Sequence, residues 1–412
     1  MKKSMLVIYT FPKSVEWRSS YRNHLMCFGK YLKNISVFYY HYDYSRDKIL
    51  YWLKKIPFDF ILFDRSFFYL RDSLNEKDWK NILKKFSDDE GNWKFAVKGI
   101  LPQDEYRRVD RIREFVCSAK VDVIYTLVDK KNRDIFYPKK DLGYKEIYTI
   151  LPGYVEESDR YYVDAKLEKK DFNRRKYDIG YRARRPSYAL GDLGILKSKI
   201  TDVFNAKSEQ FGIKTDIGNT EGKGAKRPFY DREWFDFLMD CRATLGSLSG
   251  SSIMDTKGEI MQAVDNYLKK NPKASYDTVK KELLDQLEGN AICAAPSPRI
   301  FEAAMTKTCQ VLVEGDYKII VPGVDYIELK TDFSNIDAVC EKIKDTAYCE
   351  KIANNAYSHL IQSNKYTYRT FTKNILKVMV QIKDSKKNKF KYFPSIVIRC
   401  FIAMHDLYQE KI

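Results

Sequence analysis

Several short stretches of this chain carry side chains whose types and spacing suit an anionic, hydroxyl-rich ligand. In Pro296-Ser297-Pro298-Arg299-Ile300-Phe301-Glu302, two prolines and a serine precede a helical pattern. Ser297 reads as an N-cap and Pro298 as the first helical residue. Backbone N–H groups there suit a phosphate, and Arg299 suits pairing with it. Glu302, three residues on and on the same helix side, suits accepting from a ribose diol. An ordinary capped helix with an Arg–Glu surface pair fits the same residues. Tyr181 follows a glycine at the end of an apolar run and leads into Arg182, Arg184 and Arg185. Glycine permits close backbone approach and arginine gives bidentate contacts, so this junction suits a diphosphate; a solvated basic loop is the other reading. Ser249, Gly250, Ser251 and Ser252 follow a further apolar run, where N–H groups and hydroxyls would face an anion or a sugar, or form a plain turn. No Gly-Lys-Ser/Thr ends that loop, so it is not a P-loop.

A carboxylate at a strand–helix junction suits acid–base chemistry. Asp104 and Glu105 stand at one such junction; Glu156, Glu157 and Asp231 are the alternatives. Each also reads as a helix-start acid. The four histidines pair with no cysteine or histidine at ligand spacing, and no Asp-x-Asp triplet occurs. The expectation is therefore no metal site and no cofactor.

The elements that would hold these residues alternate along the chain. Met5–Phe11, Ser36–Tyr42, Phe58–Phe63, Trp93–Val97 and Val121–Val128 read as strands. Val15–Leu32, Arg46–Ile56, Glu76–Phe86 and Arg107–Ala119 have helical spacing. Such alternation argues for parallel sheets covered by helices. At 412 residues the chain exceeds one ordinary core. We read a first domain at 1–150, a linker at 151–176, a second domain at 177–365 with a helical insertion at 257–290, and C-terminal helices at 366–412 packing back on the first domain. Two Rossmann-like domains facing across a cleft would bind ligands at strand carboxyl ends.

The net charge of +17 calls for an anionic partner: a phosphorylated substrate, an anionic membrane face or nucleic acid. Lysines are spread along the chain without an RNA-binding or zinc-finger signature, so nucleic acid ranks last. The basic, aromatic stretch Lys383–Ile412 suits the foot of a peripheral membrane protein, or a final helix on the core. No apolar run is long enough to span a bilayer. The eight cysteines form no CxxC pair and read as free thiols in a reducing compartment, so a cytoplasmic setting is expected, at the inner face of the membrane if the foot binds.

From Ser297 to Thr372 the chain resembles the C-terminal half of GT-B glycosyltransferases of the glycosyl-transferase group 1 superfamily, especially its spore-maturation-type branch. The residues that carry the resemblance are Phe301-Glu302-Ala303-Ala304 followed by Cys309–Glu314, then Gly323–Leu329, Asn335–Ile343, Ala353-Asn354-Asn355-Ala356, Tyr366-Thr367-Tyr368-Arg369 and Asn374-Ile375-Leu376. The resemblance implies a nucleotide-sugar donor, with Glu302 matching the glutamate that binds the nucleotide ribose. It implies a glycan or lipid-linked acceptor and a role in polysaccharide biosynthesis. A partner glutamate is common eight residues earlier in that superfamily, and Ala294 stands there. An epimerase-like sugar-nucleotide enzyme and a non-catalytic basic binding protein are the competing readings.

Overall fold

The computed structural model describes residues 2–10, 19–45, 47–87, 91–221 and 224–385. The C-terminal stretch from 386 onward and the start of the helix expected at Val15–Leu32 lie outside the described residues. The chain divides into two compact units. Among the described residues the first holds 2–10, Leu25–Ile150 and 372–385, and the second holds 19–24 and Leu151–Phe371.

The first unit is built on six parallel strands: β1 (Lys3–Tyr9), β2 (Ile35–His41), β3 (Phe60–Phe63), β4 (Val97–Ile100), β5 (Val123–Thr126) and β6 (Glu146–Thr149). Their order is β2-β1-β3-β4-β5-β6. β3, β4 and β5 are buried at every position, as parallel strands covered on both faces must be. The helix Glu76–Phe86 buries Trp79, Ile82 and Phe86, and Asn75 caps it by accepting from Asp78 N at 2.9 Å. The helix Val109–Ser118 buries Val109, Ile112, Phe115 and Val116. The last helix, Tyr368–Ser385, ends in this unit. There Ile375 O accepts from Tyr125 Oη at 3.0 Å, and Lys383 Nζ donates to Phe95 O at 3.1 Å.

Two local expectations differ from the structure, and one strand carries no sequence signal. Among the described residues of 46–56 only Leu50–Leu53 is helical, because Asp47 accepts from Leu50 N at 3.3 Å and sets the start of the turn there. Asn92–Phe95 is a 3₁₀ turn, and the strand begins afterwards at Val97. β6 lies at the sheet edge with exposed side chains, so it carries none of the apolar pattern that betrays its neighbours.

The second unit is built on five parallel strands: β7 (Tyr177–Ala183), β8 (Thr215–Asn219), β9 (Cys241–Gly246), β12 (Cys309–Val313) and β13 (Ile327–Leu329). Their order is β13-β12-β9-β7-β8. A separate antiparallel pair joins β10 (Ser249–Ser251) to β11 (Cys293–Ala295). Apolar clusters cover both sheet faces. One joins Ile200 and Phe204 to Val311, Val339 and Cys349; the other joins Leu238, Ile300 and Ala304 to Leu312. The chain is therefore α/β, with two parallel sheets each flanked by helices. Residues 259–284 form the helix Glu259–Lys270 and a helical turn from Tyr276 to Leu284, closed over Val264, Tyr276, Val279 and Leu284. The stretch Glu157–Leu167, charged and read from the sequence as connecting chain, is a helix that buries Val163.

The second sheet has a directional consequence. β7 opens the unit in the sheet interior; β8 lies on one side of it and β9 on the other. The connections leaving β7 and β9 therefore diverge, and a crevice forms at the carboxyl ends of these two strands.

Candidate functional site

A cavity of about 240 Å³ occupies that crevice. Ala183 and Arg184 bring the end of β7 to it, and Gly246 and Ser247 the end of β9. Ser297 and Arg299 come from the start of the helix Arg299–Met305, Trp234 and Leu238 from the helix Asp231–Met239, and Lys197 from the helix Gly191–Ser208. Its walls are aromatic and aliphatic, with cations among them. This composition suits a ligand with an apolar body and an anionic end.

Arg299 is the best-held cation. Its Nη1 donates to Arg182 O, and its guanidinium lies 5.0 Å from the Trp234 ring and 5.9 Å from the Tyr181 ring. Two aromatic faces thus orient a planar fork whose other N–H groups take no protein acceptor among the described residues. Ser297 Oγ accepts only weakly from Arg299 N, at 3.4 Å, and the helix follows Pro298 directly. Lys197 Nζ donates to Ser249 Oγ at 2.9 Å.

Glu302 is not a lining residue. It is half-buried, and its Oε2 accepts from Trp234 Nε1 at 2.7 Å, beside the indole that forms the wall. Burial raises its pKa, against the Arg299 charge and the indole bond, which lower it.

Strand alternation separates the arginines after Gly180. β7 runs two residues past Tyr181, so Arg182 is a strand residue. It turns onto the opposite face from Tyr181. Its guanidinium is buried, bonded to Asp216 at 2.8 Å and placed near Phe229 and Phe237 at 5.1 and 4.8 Å. Arg184, just beyond the strand, lines the cavity while its Nε donates to Glu221 at 2.7 Å.

Ser249, Gly250 and Ser251 form β10 rather than an open loop. Gly250 has φ +129°, and a Cβ there would lie 1.8 Å from Cys293 O. Ser251 is buried and donates to Ile253 O at 2.7 Å. Of the serines that follow β9, it is Ser247 that lines the cavity.

The carboxylate candidates lie elsewhere. Glu105, in the first unit, is fully buried. Its Oε1 accepts from Tyr137 Oη at 2.6 Å and from Thr126 Oγ1, and its Oε2 from Leu127 N at 2.7 Å. Burial pushes its pKa up to about 7, although those three donors and Arg71 pull the other way. Asp104 has φ +53° and is part-exposed; Arg71, itself fully buried, donates to the carbonyls of Gln103 and Asp104 at 2.8 Å. Glu156 caps the helix Glu157–Leu167, Glu157 makes a two-pronged pair with Arg369 at 2.8 and 3.0 Å, and Asp231 accepts from Ser19 N at 2.6 Å.

No protein-family model matches the chain, and no curated protein matches it. Solved structures similar to it include Anabaena HepE in complex with UDP, at 10% identity over 92% of this chain and 100% of that one, with a TM-score of 0.46. TarM is similar at 13% identity over 80% and 57% of the two chains, with a TM-score of 0.43. Sucrose-phosphate synthase from Thermosynechococcus elongatus is similar at 8% identity over 93% and 100%, with a TM-score of 0.44.

Sequence reading missed Lys197, Trp234, Thr244, Ser247 and Gln310, all of which line the cavity. One of them had a signal. Gln310 is the single polar residue of the apolar run Cys309–Val313, where an amide is costly unless it has work to do.

Proposed function

We propose that the chain is a GT-B glycosyltransferase and that this cavity receives part of a nucleotide-sugar donor. One observation carries the reading: at the switch point of the second sheet, Arg184, Lys197 and Arg299 gather around an aromatic-walled cavity. Three cations there suit a diphosphate leaving group, whose charge grows as the bond from the sugar's anomeric carbon to phosphate oxygen breaks. The order of motifs from Phe301 to Asn374 supports the same class, and Glu302, held by Trp234, is the group we assign to the ribose.

The acceptor, a surface glycan or a lipid-linked saccharide, belongs to the first unit in this reading. Asp104 is the preferred candidate to take its hydroxyl proton, because the Glu105 carboxylate is already occupied by three donors. Transfer proceeds without a metal ion, since the cations do the work of one. The net charge supports an enzyme at the cytoplasmic face of an anionic membrane.

A thermal-shift screen of nucleoside diphosphate sugars, with and without EDTA, tests the proposal. A donor at a hundred times its Kd should stabilise the fold by about 2.7 kcal/mol, and chelation should leave that shift unchanged. Glu302→Ala should shrink the shift while the unliganded protein melts cooperatively. A screen in which no nucleotide sugar moves the melt, or in which Mn²⁺ is required, would overturn it.

A further inference from the structure

β12 is apolar except at one position. Cys309, Val311, Leu312 and Val313 are buried on the two faces of the sheet, and Gln310 is buried among them at 2% exposure. Its Nε2 donates to Ile300 O at 3.2 Å. A backbone carbonyl only accepts, so this bond fixes which way the amide points: nitrogen toward Ile300, Oε1 away from it. Among the described residues no protein donor reaches Oε1, and Gln310 lines the cavity.

The residue opposite Gln310 in the β9–β12 ladder is Thr244. It is also buried and also lines the cavity, and its hydroxyl proton goes to Gly180 O at 2.8 Å. The inner cavity therefore presents acceptors: an amide oxygen and a hydroxyl oxygen whose proton is spent. The complement is a ligand group that donates. Flat walls come from Trp234, and the cations Arg184, Lys197 and Arg299 complete the lining. At about 240 Å³ the space is smaller than a drug-sized pocket of roughly 300–1,000 Å³. It admits part of a nucleotide, and a single ring better than a fused pair.

We propose that the cavity seats the base of the nucleotide, that the base is a uracil-type pyrimidine, and that Gln310 reads it by accepting a hydrogen bond from the ring N–H. The inference rests on the nucleotide-sugar reading above and adds to it the class of donor and the residue that selects it. Gln310 acts here as a specificity determinant.

Calorimetric titration of the full chain with UDP, N3-methyl-UDP, CDP and GDP tests this. N3-methylation removes the donor from the ligand and leaves the protein untouched, so the result does not depend on a variant folding. N3-methyl-UDP should bind roughly tenfold or more weakly than UDP, and GDP should also bind more weakly. In Gln310→Met the gap between UDP and N3-methyl-UDP should close. Equal affinities for UDP and N3-methyl-UDP on the unchanged chain, or tighter binding of CDP or GDP, would overturn the inference while leaving the nucleotide reading in place. Binding of none of the four would overturn both.

Discussion

Glu105 and Glu302 are both desolvated, and the consequences diverge with their partners. Glu105 is held by Thr126, Tyr137 and Leu127 N, and burial still pushes its pKa up to about 7. A carboxyl raised above its unfolded value of about 4.3 stabilises the fold fully below that value, and the contribution is lost as pH rises through 7. Unfolding free energies from urea titrations at pH 5, 6, 7 and 8 should therefore fall, at up to about 1.4 kcal/mol per pH unit. In Glu105→Gln an amide can still accept from Leu127 N and donate to the two hydroxyls, so the profile should flatten between pH 5 and 8. The two arginines at the end of β7 divide in the same way. Arg182→Ala removes the buried partner of Asp216 and leaves it Lys226, and should lower stability by roughly 2 kcal/mol, read by urea unfolding. Arg299→Ala lacks such a carboxylate partner among the described residues. It should unfold close to the parent yet bind a nucleoside diphosphate about tenfold or more weakly, read by calorimetry.

At the scale of elements, the carboxyl edge of the second sheet depends on β10 and β11 being joined. Gly250 pairs with Ala294 in that ladder at φ +129°, which an L side chain rarely adopts, and Cys293 O occupies the place of its Cβ. Gly250→Ala must displace the strand pair and should cost about 2 kcal/mol or more in thermal or urea unfolding. Because Ser249 accepts from Lys197 in this same pair, donor affinity should fall with it. Helix breaks follow equally local causes. The helical run from Ile336 divides at Asp345, whose carboxylate accepts from Tyr348 N at 2.9 Å and starts a second helix at Thr346.

For the whole molecule, the site residues that share a cavity all lie in the second unit, and the acceptor-side candidates Asp104 and Glu105 lie in the first. Hydrogen exchange should report that division. A nucleoside diphosphate should slow exchange in 177–184 and 297–305 and leave β3, β4 and β5 of the first unit at their unliganded rates; uniform protection of both sheets would contradict the assigned site. Much of the α/β character was legible in the chain itself. A fully buried parallel strand must be a short continuous apolar run, as in Phe60–Phe63 and Cys309–Val313, and a run is visible without neighbours. The edge strand Glu146–Thr149 was not legible, because one exposed side leaves it no apolar pattern. The functional residues divide on the same ground. Sequence alone marks Arg182, Arg184, Ser251, Arg299 and Glu302 as polar groups near turns. It does not say how far a strand runs, and two residues more of β7 decide that Arg182 is buried on Asp216 while Arg184 reaches the cavity. Nor does it say that Trp234, 68 positions before Glu302, supplies the donor to its carboxylate. Local chemistry lies in the residue types and their short-range spacing; which face a side chain takes and which distant partner it meets are set by register and packing, and only the tertiary structure decides those.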